Sequence, residues 1–416
     1  MKICIKSATL VIPGHSLHQK KRDVLIENGK IAEIATSIKT SADQEIKEKD
    51  LHLSLGWFDS SVSFGEPGYE ERETLENGLQ TAAKSGFTEI GLNPTTFPVS
   101  DSNSAISFFH PYSEKFGVKI HPIGALTKKS EGKDLAELFD MKKAGAISFG
   151  DYKKPIQNPN LLKIALQYAQ GFDGLIQSFP QENAIARTGL VNEHDQSTKL
   201  GLNGIPNLAE ELQVARDLYL LEYTGGKIHI PTISTEGSVK LIAEAKKKGL
   251  DVSCSVSIHH LFFTDEVLNE FNSRYKVLPP LRTESDRKAL LKAVKNGTID
   301  FVTSDHFPID IEQKKVEFEN AAFGTIGLES AFGALNKLVG LEKAIELLTG
   351  GRKRFQLKEP EFKDGEQANI TLFKPNEKFN FSEANIFSSS NNSIFLEREL
   401  KGKVFGSFAY NKLTLA

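Results

Sequence analysis

The sequence predicts an α/β protein: a (β/α)8 barrel carrying a small β domain built from both chain ends. Three observations lead there. Both termini read as short strands joined by tight turns, and the middle alternates strand-like runs with helical stretches. Seven or eight such pairs fit between residues 51 and 358. That count and spacing favour a closed barrel over an open sheet. A chain of 416 residues holds a barrel of about 250 residues with room to spare.

At the N-terminus, ATLVI reads as a strand and DVLIENGKIAEI as a hairpin turning at Asn28-Gly29. At the C-terminus, QANITLF (367–373) and the pair in KGKVFGSFAYNKLTL, turning around Asn411, read the same way. One β domain made from both ends explains this and places the termini close together. In the middle, the runs FTEIGL, VKIHPIGAL, GAISFG, DGLIQSF, KIHIPTIST, LDVSCSV and IDFVTS are the strand candidates. ETLENGLQTAAKSG, LLKIALQYAQ, LAEELQVARDLYLLEYTG and GSVKLIAEAKKKG are the helices. The tract SSSNNS (388–393) reads as a polar loop.

Composition excludes several classes. A net charge of −3 gives nucleic acid no broad electrostatic reason to bind. No apolar run approaches the roughly 20 residues that cross a bilayer, and the opening MKICIKSATLVI is too short and mixed for a signal peptide. The cytoplasm is the expected location. Cys4 and Cys254 make no disulfide framework. Lys246-Lys247-Lys248 reads as a solvated helix face.

In a barrel, chemistry gathers at the C-terminal ends of the strands. Those ends are Ser61 and Ser63, Asn93, Asp151, Ser178, Thr232, His259-His260 and Asp305-His306. Together with GWFDSSVSFGEPGYEERET, NPTTFPVSD, NEHDQSTKLGLNGIP, YKVLPPLRTESDRKALLKAVKNGTIDFVTSDHFP and FENAAFGTIGLESAF, they make the sequence resemble the dihydroorotase branch of the amidohydrolase superfamily over nearly its whole length. The resemblance implies a barrel of the metal-dependent hydrolase type over residues 51–358. It also implies a β-sandwich built from residues 1–50 and 359–416.

The departures are as specific as the match. The family's metal-binding His-x-His falls on Ser61 and Ser63, and its third and fourth metal histidines fall on Ser178 and Thr232. The arginine that grips the substrate carboxylate is Gly65, and the two substrate asparagines are Thr95 and Leu278. The histidine four positions beyond the last strand's aspartate is Ile309. Two acids survive: Asp151, at the bridging-carboxylate position, and Asp305, at the position of the general base and metal ligand.

Zinc must polarise a carbonyl and yield hydroxide near neutral pH, using imidazole and carboxylate ligands. Neutral hydroxyls do neither, so no zinc is expected here, although active relatives carry it, and no catalytic or substrate-binding residue is expected. Glu66 lies near in sequence but belongs to a turn. The expected replacement is a polar plug, with serine and threonine hydroxyls bonding Asp151, Asp305 and water, and with His259, His260 or His306 as partners for the buried acids. A serine nucleophile would need a base within reach, and no G-x-S-x-G elbow is present. Arg216 and Asp217 read as a solvated charge pair on a helix, with a helix-docking role as the alternative. The cluster from Phe108 to Tyr112 reads as outer-layer packing or a partner surface.

Function follows from the resemblance. It implies a non-catalytic dihydroorotase homologue, a homodimer when alone, that partners aspartate carbamoyltransferase in pyrimidine biosynthesis. The alternatives are an active cyclic-amide hydrolase of dihydroorotase type with an altered metal site, and a small-molecule sensor using the old pocket.

Overall fold

The computed structural model describes residues 1–416, the side chain of Glu270 excepted. Strand β1 (Lys2–Leu10) pairs antiparallel with β2 (Lys21–Glu27), which turns into β3 (Lys30–Ala35). The turn residues Asn28 and Gly29 have φ of +50° and +80°, the signs a two-residue hairpin needs. β4 (Gln44–Ile46) and β5 (His52–Leu55) join β1 in parallel.

The chain then enters the barrel. Its strands are β6 (Trp57–Val62), β7 (Phe87–Leu92), β8 (Lys119–Gly124), β9 (Ser148–Phe149) and β10 (Ile176–Gln177). A two-strand ribbon, β11 (Val191–Asn192) with β12 (Gly204–Ile205), intervenes. The barrel resumes with β13 (Ile228–Ile230), β14 (Val252–Ser257) and β15 (Phe301–Thr303). The eight strands form seven parallel pairs in chain order. The ring closes where Val62 bridges His306 and the Ser63 N–H donates to the His306 carbonyl at 2.9 Å. Every residue of β6, β7 and β14 is buried, as expected of parallel strands covered on both faces.

The C-terminal strands β16 (Ile370–Asn380), β17 (Glu399–Ala409) and β18 (Lys412–Leu415) return to the N-terminal ones. β16 pairs antiparallel with β5, Ile370 opposite Leu55, so both chain ends share a single mixed sheet. Its own apolar core runs from Ile3 and Leu10 to Ile370 and Phe408. The Cys4 and Cys254 thiols are free and buried.

Helices start where the sequence supplies caps. Thr74, Thr235 and Thr283 each accept a hydrogen bond from the third following backbone N–H, opening helices Leu75–Lys84, Glu236–Lys247 and Glu284–Lys295. Among the described residues no helix is long and apolar enough to cross a membrane.

Helix Asn207–Thr224 departs from expectation. It turns Glu210, Gln213 and Asp217 inward, all at most 2% exposed, and turns Leu208, Leu212, Tyr219 and Tyr223 outward. Arg216 and Asp217 are therefore not a solvated pair: Asp217 is fully buried beneath the barrel mouth, and Arg216 binds it at 2.8 Å while donating to the Ile156 carbonyl. The aromatic run at 108–112 does pack on the outer layer, with Phe109 buried and Phe108 against Tyr112.

Candidate functional site at the barrel mouth

The end of β6 carries Ser61 and Ser63 into the mouth, at 7% and 1% exposure. Asn93, just past β7, donates from Nδ2 to both hydroxyls at 3.1 Å. An amide cannot act as a general base, so neither serine has the base a nucleophile requires.

Ser178, after β10, donates to Asp217 Oδ2 at 2.6 Å. Burial raises the Asp217 pKa, opposed by Arg216, Ser178 and Gln213. Thr232, after β13, is 2% exposed and has φ +49°, a costly conformation for a β-branched residue. Its N–H donates to Ser255 Oγ at 3.3 Å.

The two surviving acids are both occupied. Asp151 accepts from the Thr127 N–H at 3.0 Å on one oxygen and from the Thr127 hydroxyl on the other. Burial nonetheless raises its pKa. Asp305 is 1% exposed with φ +50°. Tyr152 OH donates to its Oδ1 at 2.9 Å, and Lys153 Nζ lies 2.9 Å from its Oδ2. That second contact is an ion pair whose angle falls outside hydrogen-bond geometry. Tyr152 stacks on Phe307 at 5.8 Å, and burial followed by the Asp305 charge pushes its phenol well up. Lys153 and Tyr152 drew no attention in the sequence. The only available signal was their place two and one residues beyond Asp151, at a strand end.

The histidines do not serve as the acids' partners. Ser257 Oγ contacts His259 Nε2 at 3.0 Å and His260 Nδ1, while His260 Nε2 meets the Pro279 carbonyl at 3.0 Å. Burial holds His259 well below its usual pKa and His260 near about 3, so both are neutral. His306 Nε2 binds Glu73 at 3.0 Å, and its Nδ1 accepts the Gly327 N–H at 3.2 Å. The expected plug is thus polar, but Thr127, Tyr152 and Lys153 satisfy its acids. Asp59, beneath it in β6, was also missed. It accepts from Ser304 N–H at 2.9 Å, from Ser61 N–H at 3.1 Å and from the Thr303 hydroxyl, and burial raises its pKa.

The substrate positions are equally altered. A Cβ on Gly65 would lie 1.7 Å from the Tyr69 carbonyl oxygen, so no arginine enters there without rebuilding the turn. Thr95 is half-buried with its hydroxyl unpartnered. Leu278 packs with Ile205 and Ala209. Ile309 is buried, and its N–H reaches Asn392 Oδ1 at 3.3 Å. Glu66 accepts the Leu75 N–H at 2.8 Å and caps a helix.

The SSSNNS tract is a polar loop, as its composition predicts, with Ser388, Ser390, Asn392 and Ser393 buried. It lies in the connection between β16 and β17, where Ser388 Oγ and Ser389 N–H bind Glu73 at 2.9 Å and Asn392 donates to the Phe307 carbonyl at 3.2 Å. The terminal sheet thereby straps the barrel mouth.

The residues present do not fit zinc. Hydroxyls stand at four ligand positions, Thr127 holds both oxygens of Asp151, and an ammonium sits on Asp305. Among the described residues no three His, Cys, Asp or Glu side chains are grouped to hold a metal ion.

Residues 52–238 match the family described as Dihydro-orotase-like. The dihydroorotase of Pelotomaculum thermopropionicum is 37% identical over 409 residues, covering 97% of this chain and 96% of that protein. The chain belongs to the dihydroorotase family. The dihydroorotase of Syntrophus aciditrophicus is also 37% identical, over 99% of both chains. In fold, this dihydroorotase homologue is similar to L-hydantoinase (dihydropyrimidinase) from Arthrobacter aurescens, with a TM-score of 0.85 at 20% identity over 99% of this chain and 95% of that one. It thus has the amidohydrolase fold without the family's metal-ligand set.

Proposed function

We propose that this chain is a non-catalytic dihydroorotase homologue, acting in the cytoplasm as a structural or regulatory partner of aspartate carbamoyltransferase in pyrimidine biosynthesis, and forming a homodimer when alone. The observation that carries the loss of catalysis is the Lys153–Asp305 pair. A general base that must also ligand a metal is instead neutralised by an ammonium. Hydroxide generation and carboxylate grip are missing together, and such terms normally supply many kcal/mol of catalysis. The partner follows from the family resemblance, in which inactive dihydroorotase-like chains support that transcarbamoylase.

Two measurements test the reading. Steady-state assays in both directions with added Zn²⁺, Mn²⁺ or Co²⁺ give no turnover. Metal-stimulated turnover abolished by Asp305→Asn overturns the loss of catalysis. Reconstitution with the same organism's aspartate carbamoyltransferase gives a stable complex, and two proteins that elute separately at all ratios overturn the partnership.

A second reading has one observation in its favour. A cavity of about 450 Å³ beside the plug is lined by Asp151, Lys153, Lys154, Gln157, Gln181 and Asn183. Such a polar cavity suits a small ligand bound without chemistry, and tight binding of a pyrimidine, hydantoin or ureide there would favour a sensor.

A further inference from the structure

At the N-terminal end of the barrel, opposite the plugged mouth, a cavity of about 590 Å³ opens between the barrel floor and the terminal sheet. A volume of that size suits a small ligand. Its floor is a buried ion network at the starts of β7 and β8. One oxygen of Glu89 accepts from Arg352 Nε at 3.1 Å and from Asn369 Nδ2 at 3.2 Å, and the other meets His121 Nε2 at 2.8 Å. Glu89 is 5% exposed and His121 7%. Burial pushes the Glu89 carboxyl up, yet His121 and Arg352 together hold it below its usual range. Glu89 is therefore a carboxylate, and it selects the tautomer of His121. Nε2 carries the proton that Glu89 accepts, and Nδ1 keeps a lone pair. Among the described residues nothing meets Nδ1, and this nitrogen is not sealed from solvent. The ring borders the cavity. An imidazole oriented by a carboxylate on one side and open on the other is a poised acceptor.

A second residue is held at the cavity against its backbone preference. Tyr410 and Asn411 form the two-residue turn between β17 and β18, with φ of +49° and +59°. Such a turn favours asparagine, aspartate or glycine, and an aromatic residue at its first position is strained. Tyr410 lines the cavity with Leu357 and Pro360, which gives it an apolar wall. Burial, then the Glu89 and Glu114 charges, push the phenol up, so the ring stays neutral. The rim is acidic. Arg352 balances Glu89, and Lys363 sits on Glu361 at 2.5 Å. That leaves Glu114, Glu359 and Glu366 against Lys119 and Lys358. Among the described residues no three His, Cys, Asp or Glu side chains are grouped to hold a metal ion, so the cation that fits is organic.

We infer that this cavity is a second ligand site, for a small organic cation that carries N–H donors on a short apolar stem, of the alkylguanidine or alkylamine class. One N–H donates to His121 Nδ1, the acidic rim meets the charge, and the ligand lies against the Tyr410 ring, where a cation–π contact adds to the hydrogen bond. His121 of the barrel, Leu357 of the linker and Tyr410 of the terminal sheet all border the site, so an occupant ties the sheet to the barrel. The inference rests on neither reading of the barrel mouth.

The experiment is isothermal titration calorimetry of the full chain at low salt, with butylguanidinium as the probe and butyrate as its anionic counterpart. Butylguanidinium is expected to bind with a Kd on the order of 100 μM, and butyrate not to bind. His121→Phe keeps a ring but removes the acceptor, and weakens binding about 10-fold or more. Tyr410→Asn removes the aromatic face and weakens binding about 5-fold. Because asparagine suits the turn, that variant also melts at a higher temperature, so it answers the question even where His121→Phe melts early. Imidazole ¹⁵N spectra of the unmodified chain give an independent readout: the His121 Nδ1 signal moves on addition of butylguanidinium. Any one of four results would overturn the inference: no binding of butylguanidinium, equal binding of butyrate, unchanged affinity in a folded variant, or a His121 Nδ1 signal that does not move.

Discussion

Lys153 Nζ stands 2.9 Å from Asp305 Oδ2 across the barrel mouth, the two side chains 12% and 1% exposed. An internal ammonium thus meets the acid that, in the family pattern, meets metal. The pair joins the loop after β9 to the end of β15, so it also ties two distant barrel strands together.

Lys153→Met leaves Asp305 buried with Tyr152 as its remaining side-chain partner. Breaking one side of a buried pair costs about 3–5 kcal/mol. Denaturant unfolding of Lys153→Met, Asp305→Asn and the double variant is expected to show the double change costing less than the sum of the single ones. Additive costs would mean that the two groups do not interact.

Ser178→Ala removes a hydroxyl donor 2.6 Å from Asp217, which retains Arg216 and Gln213. The expected loss is about 1–3 kcal/mol, read by the same unfolding measurement. A neutral outcome would show that Ser178 merely fills space.

Restoring His at Ser61 and Ser63 together is expected to recover neither zinc nor turnover. Asp305 remains paired with Lys153, Asp151 with Thr127, and Ser178 and Thr232 remain hydroxyls. Elemental analysis and a dihydroorotate assay check this. Adding Gly65→Arg is expected to destabilise the fold, because its Cβ meets the Tyr69 carbonyl at 1.7 Å. About one zinc per chain in the double-His variant would refute the ligand argument.

Acid sensitivity follows from the neutral histidines. His260 takes up its proton only near about pH 3 when folded, against 6.5 when free. Between those values the unfolded chain binds the extra proton, so stability falls as pH falls through that window. His260 alone contributes a slope of up to about 1.4 kcal/mol per pH unit. The raised carboxyls of Asp59, Asp151 and Asp217 act in the opposite sense near the acid end, since folded they hold protons more readily. Unfolding free energies from pH 7 to 4 for wild type and His260→Gln isolate the histidine: as pH falls, the wild type loses stability relative to the variant with that slope. Parallel curves would mean that His260 is already charged in the fold.

Most of the architecture was legible in the chain. The barrel strands β6–β10 and β13–β15 fall where short apolar runs alternate with helical stretches, though the ribbon of β11 and β12 was not foreseen, and the hairpin at Asn28-Gly29 falls where the turn residues demand it. The loss of the ligand set was legible too, because it depends on which residue type occupies each motif position. The role of Asp217 was misjudged for a physical reason. Polar residues in a helix read as solvated unless something outside the segment pulls them in.

By itself, then, the sequence determined the succession of elements, the meeting of both termini in one sheet, and the replacement of four imidazoles by hydroxyls. Those properties rest on local periodicity, turn chemistry and residue identity. Only the tertiary structure decided what fills the mouth: Tyr152 and Lys153 reach Asp305 across about 150 positions of chain, and Ser178 reaches Asp217 across 39. It also decided which face of helix Asn207–Thr224 points outward. That helix has apolar residues on both sides, so its own pattern favours neither orientation. The buried hydroxyl and backbone carbonyls that bind Asp217 and Arg216 turn its charges inward, and leave its leucines and tyrosines facing out.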